Sequence, residues 1–93
     1  MHENFDKTLK EIIQKRLEPA EIVRLSFKED EDADGDPIMR IRIVFKADED
    51  LLDPNKTLGL ARHLRETMGN IFIERHPIFY FRTQEEDESL AAN

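Results

Sequence analysis

Two stretches of period-two alternation, residues 22–28 and 38–46, bracket a run of acids, and together they constrain the fold of this chain more than any other feature. In the first, Val23, Leu25 and Phe27 alternate with Arg24, Ser26 and Lys28. In the second, Met39, Ile41, Ile43 and Phe45 alternate with Arg40, Arg42 and Lys46. Successive side chains of a strand point to opposite faces, so each stretch reads as a strand with one apolar and one basic side. The residues between them, 29–36, hold six carboxylates and no Lys or Arg, and Asp34-Gly35 is a hairpin-turn signal. A sheet that is apolar on one side must bury that side against another layer.

Two amphipathic segments supply the layer. Phe5, Leu9, Ile12, Ile13 and Leu17 recur at helical spacing, and Pro19 stops the pattern. Asp53-Pro54 is a helix start, because Asp can accept from the free amides of the first turn and Pro suits the first helical position. Leu58, Leu60, Ala61, Leu64 and Met68 form the second apolar stripe, which Gly69-Asn70 ends. Residues 71–76 fit either periodicity. Pro77 then opens a third strand with Phe79 and Phe81 facing inward.

The sequence therefore predicts an α+β fold of two layers in the order helix-strand-strand-helix-strand. Both helices lie on one face of a small three-stranded mixed sheet, built from a hairpin and a right-handed crossover. Residues 1–83 form a single α+β domain, and the acidic, small-residue-rich residues 84–93 form a disordered tail. Apolar residues make up 39% of the 93 and charged residues 38%, so the core is thin and its clustering has to compensate. The absence of Cys excludes a disulfide framework and a thiolate zinc site. The first residues lack an apolar signal core, and no run approaches the ~18 apolar residues of a membrane helix, so a cytoplasmic protein without membrane contact is expected.

Charge is segregated. Thirteen of the 21 carboxylates lie in residues 29–36, 48–50 and 85–88, which leaves eight for the rest of the chain against 14 Lys and Arg. A net charge of −7 thus hides a basic body. On the open sheet face the alternation gathers the candidate partner-binding residues Arg24, Lys28, Arg40, Arg42, Lys46, Tyr80 and Arg82. With Lys28 opposite Ile38, Arg24 stands opposite Arg42, and directly opposed like charges are destabilising. The counter-charge is the chain's own tail, an acidic protein partner or nucleic-acid phosphate; positive charge with a stacking aromatic on an open sheet also suits RNA.

Chemistry-bearing clusters are sparse. Asp30, Asp32, Asp34 and Gly35 open like a calcium loop, but its ninth and twelfth positions are Ile38 and Ile41, so the closing ligands are missing. A solvated hairpin turn is the reading, with no metal and at most weak calcium binding. His63 and Glu66 offer two ligands where zinc needs three or four. Ser26 and Ser89 lack a neighbouring base, and no Gly-rich phosphate loop is present. Neither an enzyme nor a cofactor is expected.

Gly59-Leu60-Ala61-Arg62 and His76-Pro77-Ile78-Phe79-Tyr80-Phe81, together with the element order, resemble ribosome-binding factor A and related KH-like domains over residues 58–81. The resemblance implies that Gly59 is a kink that interrupts a helix near RNA and that Pro77 opens the last strand. The GxxG of KH domains is absent. The strand-helix-strand portion with Asp53-Pro54 is also similar to the cytosolic domain of cation-diffusion transporters, without histidines at metal-binding positions. The functional expectation is a small non-enzymatic protein-interaction or dimerising module with a protein partner or a second copy. The alternative is a KH-like, ribosome-associated RNA-binding domain using the basic face.

Overall fold

The computed structural model describes residues 2–91, with side chains for residues 4–89. The side chain of His2 and the last two residues of the expected tail lie outside that range. The elements are α1 (His2–Leu17), β1 (Glu21–Glu31), β2 (Pro37–Lys46), a 3-10 turn (Asp48–Asp50), α2 (Pro54–Leu58), α3 (Leu60–Met68), α4 (Asn70–Glu74), β3 (His76–Thr83) and α5 (Gln84–Ala91). The fold is α+β around a three-stranded mixed sheet ordered β1-β2-β3, antiparallel between β1 and β2 and parallel between β2 and β3.

The core lies between one sheet face and the helices α1, α3 and α4. Leu9, Ile13 and Leu17 of α1 meet Met39, Ile41 and Ile43 of β2, with Leu60 and Leu64 of α3 and Phe72 of α4 closing the cluster. Phe5 sets its ring edge-on to Phe27 with centroids 4.9 Å apart and also reaches Phe72, so α1 is anchored at both ends of its apolar stripe. Among the described residues no helix is long and apolar enough to cross a membrane.

Four details differ from the sequence reading. First, β1 carries a bulge between Ile22 and Arg24. One extra residue reverses the alternation behind it. Ile22, only 4% exposed, is the core residue, Val23 is not part of the core cluster, and Leu25 and Phe27 face inward as expected. Gln14 fastens the bulge, since its Oε1 accepts from the Ile22 N–H at 2.7 Å and its Nε2 donates to the Ala20 carbonyl at 2.8 Å.

Second, the helix expected from Asp53 to Gly69 breaks at Gly59. Asp53 caps α2 through Asn55 N–H, but the break takes the helical partners from the Asn55 and Lys56 carbonyls. Arg16 of α1 replaces them, donating from Nε to Lys56 at 3.2 Å and from Nη2 to Asn55 at 3.4 Å. A Cβ on Gly59 would stand 2.6 Å from Arg16 Nη2, so a larger residue there would push the tip of that flexible side chain aside. Gly69, with φ of +74°, then turns the chain from α3 into α4, which settles the ambiguous residues 71–74 as helix.

Third, Phe81 is 36% exposed and is not among the residues packed on the core, and it stacks on Phe79, which is. Fourth, residues 84–91 of the expected disordered tail are helical, and the reason is local. Glu86 N–H donates to Thr83 Oγ1 at 3.1 Å while Thr83 N–H donates to Glu86 Oε1 at 3.0 Å. This reciprocal pair is a capping box, and three acids in the first turn complement the helix dipole.

Candidate functional site

The register of the sheet places Arg24, Lys28, Arg40, Arg42, Lys46, Tyr80 and Arg82 on the face opposite the core. Read across the strands, the rows are Lys28–Arg40–Ile78, then Ser26–Arg42–Tyr80, then Arg24–Val44–Arg82. The register is displaced from the one expected. Arg24 opposes Val44 rather than Arg42, and the like-charged pair is Lys28 with Arg40. Hairpin register follows the turn, and here the strands pair out to Glu31 and Pro37, so only residues 32–36 are left for the connection.

That like-charge pair is relieved locally. Arg40 Nε donates to Asp30 Oδ2 at 2.8 Å, and Arg40 Nη1 also donates to the Tyr80 hydroxyl. The Arg40 guanidinium, followed by the Glu31 N–H, holds the Asp30 carboxyl below its usual range. Asp30 in turn, then the Tyr80 hydroxyl, raises the Arg40 guanidinium above its ordinary value. Arg40 is thereby committed within the molecule.

The other end of the face is covered by α5. Asp87 puts Oδ2 on Arg24 Nη2 of β1 and Oδ1 3.3 Å from Arg82 Nη1 of β3, so one carboxylate spans the sheet from edge to edge. Its side chain is 17% exposed. Val44 lies between those two arginines in the same row and is 7% exposed. The expected diffuse counterion is therefore a specific one. Glu86, bound by the Thr83 backbone N–H and then by the Thr83 hydroxyl, has its carboxyl held below the ordinary range.

Between these two neutralised zones a groove of about 520 Å³ remains, lined by Arg24, Ser26, Arg42, Tyr80, Arg82 and Asp87. Arg42 is exposed and makes no ion pair among the described residues. Tyr80, 40% exposed, borders it on β3. The structure thus brings together Arg24, Arg42, Tyr80 and Arg82. Lys28 and Arg40 sit one row away. Lys46, opposite Glu21 at the far end of β2, does not line the groove.

Sequence reasoning placed Asp30 in a calcium-like loop and Asp87 in a tail that serves as counter-charge, without pairing either with its arginine, and it passed over the cap that fixes α5. Thr83-Gln84-Glu85-Glu86 is the T-x-x-E signature of a capping box, and it was available in the sequence. The acidic turn also departs from expectation. Asp32, Asp34 and Asp36 have carboxylate oxygens within 4.8 Å of one another, whereas Asp30 is drawn away to Arg40. Asp32 Oδ1 accepts from the N–H groups of both Asp34 and Asp36 at 2.9 Å, which accounts for the cluster as turn architecture. His63 and Glu66 line a separate depression beside Gly59, together with Arg16 and Arg62.

Comparison of the chain with protein-family models, with curated proteins and with solved structures yields no match.

Proposed function

We propose that this chain is a non-enzymatic protein-interaction module that receives an acidic segment of a partner on the open face of its sheet. The observation that carries the proposal is the chain's own acidic helix on that face, with Asp87 between Arg24 and Arg82 while Arg42 beside them has no ion-pair partner among the described residues. An acid-lined helix is thus a ligand of the right chemistry for these arginines, and α5 fills only part of the available surface. Arg is well suited to the task, since its fork matches a carboxylate and stacks on an aromatic such as Tyr80.

A second reading, single-stranded RNA on the same face, is favoured by Tyr80, exposed beside Arg42 as a stacking platform. Against it stand the six carboxylates of residues 29–36 at one end of the face and the four of α5 at the other. They repel a long polyanion, while a short acidic segment needs only the space between them.

The test is an amide NMR titration of the labelled full chain with a synthetic peptide copying residues 83–93, and separately with a basic peptide and a uridine oligonucleotide. The expected result is salt-sensitive shifts at Ser26, Arg42, Val44 and Tyr80 with the acidic peptide. Shifts on this face with the oligonucleotide alone would transfer the reading to RNA, and shifts confined to the acidic turn with the basic peptide would refute both.

A further inference from the structure

The groove holds three guanidiniums, from Arg24, Arg42 and Arg82, and one carboxylate, from Asp87. They come from all three strands. Neighbouring strands lie about 4.8 Å apart and successive same-face residues about 6.6 Å apart, so these long side chains converge on one small volume. Asp87 spends one oxygen on Arg24 and the other on Arg82, and nothing among the described residues neutralises Arg42. Two positive charges are left over within the groove.

That surplus selects between ligand chemistries. A carboxylate brings one negative charge and two acceptor oxygens, so it would leave the groove charged. A phosphate monoester brings about −1.5 to −2 and three acceptor oxygens, which matches both the surplus and the number of arginines. Two hydroxyls add to the match. Ser26 and Tyr80 flank Arg42 in the same row. The Tyr80 oxygen already accepts from Arg40, which leaves its own proton free to donate.

Resting on the reading above, we propose that the groove is a phosphate site for a phosphorylated side chain on the partner polypeptide. The phosphate is held by Arg42 and shared by Arg24 and Arg82, with Ser26 and Tyr80 donating. A single phosphate on a short segment fits between the flanking acids, whereas the repeating phosphates of a nucleic acid meet the acids of residues 29–36 or of α5 within a few nucleotides.

The experiment titrates the full chain with inorganic phosphate and with three otherwise identical short peptides carrying phosphoserine, serine or glutamate. Amide shifts and the side-chain Nε–H signals of the arginines are followed, with a uridine oligonucleotide as a fourth arm. The expected result is a shifted Arg42 Nε–H with phosphate and phosphopeptide, and ~10-fold tighter binding of the phosphopeptide than of the glutamate peptide. Arg42→Gln should abolish that preference with the fold intact. Asp87→Asn should strengthen phosphopeptide binding several-fold, an effect that a merely structural arginine would not produce. Equal binding of glutamate peptide and phosphopeptide overturns the phosphate site while leaving the interaction module standing. Binding of the oligonucleotide alone overturns both, as does the absence of shifts in every arm.

Discussion

Thr83→Ala isolates the device that turns an acidic stretch into a helix on the sheet. The substitution deletes the hydroxyl that accepts from Glu86 N–H and loosens the return bond from Thr83 N–H to Glu86 Oε1. Loss of an N-cap of this kind costs about 1 kcal/mol, within a range of roughly 0.5–2. The eight residues of α5 fall short of the ~12–15 at which an isolated helix becomes marginal, so the helix depends on the cap and on its docking. Asp87 docks it through arginines that are themselves about half exposed, and exposed pairs of this type contribute only ~0.2–1 kcal/mol each. The local opening free energy of α5 is therefore a few kcal/mol at most, and removing about 1 of them raises the open population roughly fivefold. Hydrogen exchange reads this directly. The amides of residues 87–89 should exchange about five times faster in Thr83→Ala, those of Ile41 and Leu64 should be unchanged, and Thr83→Ser should restore protection. Unchanged protection at 87–89 would show that α5 does not depend on its cap. A parallel loss in the core would show that α5 is integral to global stability.

Acid should act on the same helix. The Glu86 carboxyl is depressed in the folded state, first by the Thr83 N–H and then by the Thr83 hydroxyl, so its contribution is complete above the unfolded carboxylate pKa and is lost as pH falls through the lower folded value. Protection of residues 87–89, corrected for intrinsic exchange, should be flat near neutrality and fall in the acid range, and Glu86→Gln should weaken that dependence, leaving the part that the Asp87 carboxylate carries through Arg24 and Arg82. Gly59→Ala should change the urea midpoint little, because the atom a Cβ would meet at 2.6 Å is the tip of the flexible Arg16 side chain, which can swing aside and give up its exposed bond to the Asn55 carbonyl to water. The lost exposed bond and a propensity gain of up to about 1 kcal/mol oppose each other, and in an Arg16→Ala background the same substitution should show the gain alone; a large loss of stability in Gly59→Ala would contradict this. Gln14→Leu should cost ~1–3 kcal/mol, since it leaves the Ile22 N–H and the Ala20 carbonyl without their partner at the bulge; an unchanged urea midpoint would contradict that role.

The parts of this fold that can be read from sequence are those with strong local periodicity. The α1 stripe and the β2 alternation repeat at the spacing of their element, Asp53-Pro54 is a cap read from two adjacent residues, and each is found where it is expected. What escapes is decided by single residues acting across the chain. The Val23 bulge depends on Gln14, eight residues from the Ile22 amide it holds, and no strand pattern encodes it. The break at Gly59 is stabilised by Arg16, 40 residues from the Lys56 carbonyl it satisfies. The basic face was legible because alternation sorts Arg24, Arg42, Tyr80 and Arg82 onto one side. Its partial neutralisation was not, because composition makes residues 84–93 look disordered while the cap at Thr83 and Glu86 outweighs composition locally.

Arg42 poses the sharpest question about this face. Asp87 gives Arg24 and Arg82 a structural reason to exist, since the three residues tie β1 to β3 across the sheet, and Asp30 does the same for Arg40. Arg42 has no such partner among the described residues. It occupies the central strand with Arg40 and Val44 next on its own face and Arg24 and Arg82 diagonal to it. Its directly opposed neighbours are Ser26 and Tyr80, so the repulsion comes only from diagonal and same-strand arginines that carboxylates already screen, and it lies at the low end of the ~0.2–1 kcal/mol that cross-strand pairs contribute. A β-branched polar residue would sit there more comfortably. Arg42→Thr should therefore leave stability unchanged or raise it by a few tenths of a kcal/mol in urea unfolding while abolishing ligand binding on the face, the opposition expected where a residue is kept for contact rather than for the fold. A loss of stability in Arg42→Thr would instead mean that the guanidinium supports the sheet itself, and the case for a ligand there would go with it.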